Sequence, residues 1–203
     1  TVPNSTKMSL KYSLHTFMTK GFVSEIFYAY TGLKRSYNTQ LSNGINESRL
    51  LAYSFFISLV LFLHRLPDKL THNQKFNTKI SLNDQIGIDL FASLFFVPIF
   101  LYIIAFFIHL LWLPFGSKAT YFETRLAFFW ATIISSPVLL SLSLIEGIYY
   151  SSWLSWILNF FSVVFYSWIF SSILCAAHKI QSNLYLFFLL IIIYLIFSYL
   201  NIR

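Results

Sequence analysis

The stretch Ile86–Leu113, IGIDLFASLFFVPIFLYIIAFFIHLLWL, decides the fold. As a helix it extends about 42 Å at 1.5 Å per residue, beyond the roughly 30 Å of a bilayer's hydrocarbon. Asp89 and His109, near its two ends, are its only groups that charge close to neutral pH. It lacks period-two alternation, which argues against a membrane β-barrel strand. Four further apolar runs flank it, at about 50–65, 126–145, 153–177 and 184–200. The core of the first, Leu50–Leu63, is short, about 21 Å. Arg49 and Arg65 bracket it, and their aliphatic stems carry such charges to the interface. The expectation is an all-α polytopic membrane protein: five transmembrane helices over residues 49–203, or four if the first run is re-entrant.

Composition supports this. Of 203 residues, 57% are hydrophobic and only 10% charged, with a mean hydropathy of +0.68. A soluble domain carries about 25% charged residues. Too few charges are present to cover a globule, which excludes a soluble enzyme, a disordered chain and a disulfide scaffold. Cys175 is the single cysteine, so no disulfide can form within the chain. The net charge of +7 raises the question of nucleic acid, but the 14 basic residues lie almost entirely outside the apolar runs. Basic residues flanking spans are those of a membrane protein, and no nucleic-acid partner is expected.

Residues 1–48 differ in kind and are expected on the cytoplasmic side. Residues 1–7 are polar and read as no part of the fold. Between Lys11 and Leu33 the apolar Leu14, Phe17, Met18, Phe22, Ile26 and Tyr30 recur at helical spacing, with Lys11, Thr19 and Lys20 on a wet face. This predicts an amphipathic helix, lying in the interface or packed on the protein's own loops. The polar stretch 34–48, with Asn43-Gly44 as a turn signal, reads as a linker. Pro67 reads as the end of the first span and Gly147 as the end of the third. Alternating five helices places nine Lys and Arg on the N-terminal side and five on the other. Basic residues favour the cytoplasmic side, so the N-terminus is expected there and the C-terminus outside.

Chemistry-bearing motifs are few. Neither a nucleotide-binding glycine loop nor an HExxH or paired-cysteine metal spacing occurs. The five histidines are scattered, so no catalytic, cofactor or metal site is expected, and no enzyme. Two sets of polar residues stand out. Ser155, Asn159, Ser162 and Tyr166 form a stripe along the fourth run; interhelical hydrogen bonding is the favoured reading, a hydrophilic path the sharper one. His109, Glu123, Arg125, His178 and Lys179 fall at the cytoplasmic ends of the helices, with Glu123 expected to accept a hydrogen bond from Lys179, His178 or Arg125. Pro98 and Pro137 interrupt two runs; Thr132, Ser135 and Ser136 are placed to satisfy the carbonyl that Pro137 frees.

Three stretches carry a family resemblance: Tyr121–Pro137, YFETRLAFFWATIISSP; Glu47–Asp68, ESRLLAYSFFISLVLFLHRLPD; and Leu94–Trp112, LFFVPIFLYIIAFFIHLLW. In their order and spacing they resemble the YIP (Ypt-interacting protein) domain family, in its alphaproteobacterial branch. Thr124–Ala131, TRLAFFWA, stands for the family's ARLALFWA-like core. The resemblance implies a five-helix bundle with a cytoplasmic N-terminus in a bacterial inner membrane. Eukaryotic members bind prenylated Rab-type GTPases; the bacterial branch has none, so that activity is not carried over. The expected function is a non-enzymatic scaffold that organises the membrane or binds a protein partner or a second copy. A small transporter or channel, and an accessory subunit of a respiratory or ATP-synthase complex, are the alternatives.

Overall fold

The computed structural model describes residues 21–44, 46–72, 81–149, 151–180 and 183–201, and among these it contains helices and no strand. In chain order they are α1 (Phe22–Ala29), α2 (Leu33–Ser42), α3 (Glu47–His72), α4 (Leu82–Trp112), α5 (Tyr121–Ile148), α6 (Ser152–His178) and α7 (Asn183–Asn201). A 3₁₀ turn, Leu113–Phe115, follows α4. Among the described residues, four helices are long and apolar enough to cross a membrane: Glu47–Pro67, Leu82–Trp112, Tyr121–Ile148 and Trp153–His178. The described apolar stretch of α7, Asn183–Ile196, falls short of that length.

The centre of the bundle is α5, which packs on α3, α4, α6 and both N-terminal helices. Its run from Thr124 to Ala131 is buried on every face, with Phe129 and Trp130 fully enclosed. Ala127, Ala131 and Ser135, one turn apart, have no exposed surface. Small residues at that spacing let helices approach closely, which matters where lipid removes the hydrophobic drive to associate. Ser136 donates to the Ile133 carbonyl at 2.7 Å, the acceptor that Pro137 deprives of its amide partner. Thr132 and Ser135 donate instead to Phe128 and Ala131, at 2.9 and 2.8 Å.

Three local expectations are corrected. Pro67 lies inside α3 rather than ending it. The turn beyond it is held by tertiary contacts: Lys69 pairs with Asp89 of α4, and Pro67 sits against Gly147. Gly147 does not stop α5, which runs on to Ile148; the positive-φ glycines among the described residues are Gly44 and Gly116. The supposed linker 34–48 contains α2. Leu33, Ser36, Tyr37 and Gln40 are its buried stripe, at helical spacing but mostly polar.

The expected N-terminal amphipathic helix lies partly outside the described residues, as Lys11–Lys20 do. Its remainder is α1, which ends at Ala29 and turns into α2. This pair enters the bundle. Tyr30, at the corner, donates to the carbonyl of Ile134 and its ring lies 6.3 Å from that of Phe165. Ile134 is about 20 Å along α5 from Tyr121. From that depth α2 returns toward the edge: Trp130 donates to Ser36 at 2.9 Å, and Tyr37 donates to the Glu123 carbonyl at 3.3 Å. Burial first, and the Glu123 carboxylate second, push the Tyr37 phenol up, which keeps its proton in place for that bond. The outward side of α1 is apolar, with Val23 and Phe27 exposed.

Candidate functional site at one end of the bundle

The ends of α4 and α6 and the starts of α3 and α5 meet at one end of the bundle. Thr120 and Glu123 begin α5 with a reciprocal cap: Thr120 Oγ1 accepts from the Glu123 amide at 3.2 Å, and Glu123 Oε2 accepts from the Thr120 amide at 2.6 Å. This carboxylate also accepts from the Thr120 hydroxyl at 3.0 Å. The expected bond from Lys179, His178 or Arg125 is therefore corrected: two donors three residues away satisfy Glu123 locally.

Arg125 turns the other way. Its guanidinium forms a two-pronged pair with Glu47 at the start of α3, at 2.9 and 2.5 Å. Tyr121 lies 4.5 Å from the guanidinium carbon, Tyr102 at 5.4 Å and Phe122 at 5.8 Å. Arg125 is buried while Glu47 is largely exposed. The aromatic faces attract a cation that the bundle has withdrawn from water.

His109 and His178 converge on Thr124. His109 Nδ1 is 3.1 Å and His178 Nε2 3.5 Å from the Thr124 hydroxyl. That hydroxyl donates its single proton to the Thr120 carbonyl at 3.2 Å. It therefore accepts from both rings, which places a proton on His109 Nδ1 and on His178 Nε2. His178 Nδ1 is then an acceptor and takes the Ser117 proton at 2.5 Å, while Ser117 Oγ accepts from the Ala119 amide at 3.2 Å. Trp112 covers the His178 ring at 5.4 Å. The chemistry of this arrangement is that of a clamp: one hydroxyl ties the ends of α4 and α6 to the start of α5.

Lys179 stays outside the network. It closes α6 in the left-handed conformation, φ 57°, and its side chain is exposed. Of the five expected edge residues, the structure thus joins His109 to His178, spends Glu123 on a helix cap, pairs Arg125 with Glu47 and leaves Lys179 outside. Sequence reasoning missed Thr124, Ser117 and Glu47. The Thr120-x-x-Glu123 spacing was a readable cap signature. It missed a second network as well: Gln40 donates to Glu25 at 3.0 Å, Tyr53 donates to Gln40 at 3.2 Å, and Arg49 lies 3.8 Å from Glu25.

The stripe on α6 does not assemble into a lined path among the described residues. Ser155 donates to Glu146, Ser162 donates back to the Leu158 carbonyl at 2.8 Å, and Tyr166 meets Thr132 at 3.3 Å. Asn159 is exposed on the outer face among Trp156, Ile157, Phe160 and Phe161, which corrects its expected burial against a helix of the bundle. The reason is where α6 packs: it buries its second half, from Ser167 onward, between α2, α5 and α7, and its first half stands at the periphery. The described residues contain no group of three His, Cys, Asp or Glu side chains able to hold a metal ion. No protein family, curated protein or solved structure matches the chain.

Proposed function

We propose that this protein is a non-enzymatic membrane scaffold of YIP-domain type, which works through its outer face by binding a partner helix or a second copy. The observation that carries the reading is Asn159. Its amide has no hydrogen-bond partner among the described residues and stands on an apolar face of a spanning helix, beside the stacked rings of Trp156 and Phe160. In hydrocarbon an unmet amide is costly, and side-chain amides hydrogen-bond across helices when a neighbour is available. Three polar pairs within the chain support the same reading. Arg125 with Glu47, Lys69 with Asp89 and Ser155 with Glu146 spend their polarity on one another. In this reading α7 is the fifth crossing, the α1–α2 pair enters the bundle from the cytoplasmic side without crossing it, and the membrane is a bacterial inner membrane.

The test is assembly in mild detergent, measured by sedimentation with the native chain and with Asn159→Leu. The native chain sediments as a complex, with itself or with one stoichiometric partner. The variant shifts to the monomer, with an association loss of about 1–2 kcal/mol. An unchanged sedimentation profile in the variant contradicts the proposal.

A further inference from the structure

At the end of the bundle remote from the histidine clamp, a cleft of about 290 Å³ opens between α3 and α4. Its lining changes character along the helices. Toward the middle of the bundle it is aromatic, with Phe62, Phe96 and Phe100; toward the helix ends it carries Arg65, Lys69 and Asp89. Lys69 and Asp89 neutralise each other. Arg65 has no anionic partner among the described residues and is exposed, so the cleft carries one net positive charge where α3 leaves its apolar span.

We infer that this cleft is a binding site for an anionic phospholipid. The phosphate sits on the Arg65 guanidinium, whose planar fork matches two phosphate oxygens, with Lys69 beside it. The upper acyl chain lies on Phe62, Phe96 and Phe100. Two observations select a lipid over a soluble phosphate ester. The aromatic floor continues directly below the cation, and Phe96 and Phe100 are each 57% exposed, so the cleft opens sideways to the bilayer. Its volume is too small for a helix about 10 Å across, which argues against a protein segment. Net positive charge favours a lipid with a net negative headgroup over a zwitterionic one, as in other basic pockets between spanning helices.

Native mass spectrometry of the full chain in mild detergent, with equimolar phosphatidylglycerol and phosphatidylcholine, tests this. The expected result is retention of one phosphatidylglycerol in preference to phosphatidylcholine. Arg65→Gln lowers that occupancy about fivefold, the effect of one basic residue at a membrane surface. Arg65→Lys keeps most of it, and Lys118→Gln, an exposed cation in the loop before α5, leaves it unchanged. Arg65 is exposed, so thermal unfolding of all three variants stays at the native midpoint, which separates lost binding from lost fold. Equal retention of the two lipids, or full retention in Arg65→Gln, overturns the site. Displacement of the lipid by equimolar glycerol phosphate, which lacks acyl chains, overturns the choice of a lipid.

Discussion

Gly147 of α5 packs against Pro67 of α3 so closely that a side-chain carbon added at position 147 would lie 2.6 Å from the proline Cβ. The contact joins two parallel helices at one end, as Glu47 and Arg125 join them at the other. The proline ring is rigid and its backbone is 3.6 Å from the same point, so neither can yield cheaply.

Gly147→Ala is therefore expected to destabilise the bundle by about 1–3 kcal/mol, the usual range for overpacking. Gly87→Ala, within α4 and with no heavy atom inside 4 Å of the added carbon, is expected to stabilise by about 0.5–1 kcal/mol. Thermal unfolding in detergent compares them, and equal shifts would show that the close approach does not matter.

Glu47 and Arg125 differ in exposure, and that asymmetry sets the expected costs. Glu47→Gln leaves a buried guanidinium without its anion and is expected to cost about 2–3 kcal/mol, reduced from the fully buried case because Glu47 itself faces solvent. Arg125→Met leaves an exposed carboxylate that water can serve, but it strips the packing of Tyr121 and Tyr102. A double-mutant cycle by denaturant unfolding should return a coupling of about 1–2 kcal/mol; zero coupling would reduce the pair to a surface contact.

The inserted α1–α2 pair is anchored by Trp130. Trp130→Phe removes the indole's bond to Ser36 and leaves a small void in an enclosed site, with an expected loss of about 1–3 kcal/mol. Limited proteolysis should then cut between Phe22 and Ser42 earlier than it cuts α5. Unchanged cleavage order would place the anchoring elsewhere.

The proposed five crossings and cytoplasmic N-terminal side make a testable topology. Alkaline phosphatase fused after Arg203 is expected to be active, and the same enzyme fused after Gly44 silent. Activity after Gly44 reverses the orientation. Silence at both positions shows that α7 does not cross.

Long apolar runs were legible because span length is a property of composition alone: Ile86–Leu113 became Leu82–Trp112, and 153–177 became Ser152–His178. Residues whose polarity is spent inside the protein were not legible. Ser36 and Gln40 gave α2 the look of a solvated linker, yet they meet Trp130, Glu25 and Tyr53 across the bundle. Pro67 looked like a helix end because its tertiary supports, Gly147 and the Lys69–Asp89 pair, are distant in sequence. At the candidate site the level of His109, Glu123, Arg125 and His178 was readable. Their partners were not, because pairing depends on which way each side chain leaves its helix. Asn159 was readable as an intramembrane amide, but not as one that faces outward.

That outward amide is where the functional account stands or falls. A photo-crosslinking side chain placed at Trp156, one turn from Asn159 on the same exposed face, tests it in native membranes. The account predicts a protein adduct of one discrete mass, a second copy or a single partner, which disappears when Asn159→Leu is added. Lipid adducts alone, with or without Asn159, would contradict it.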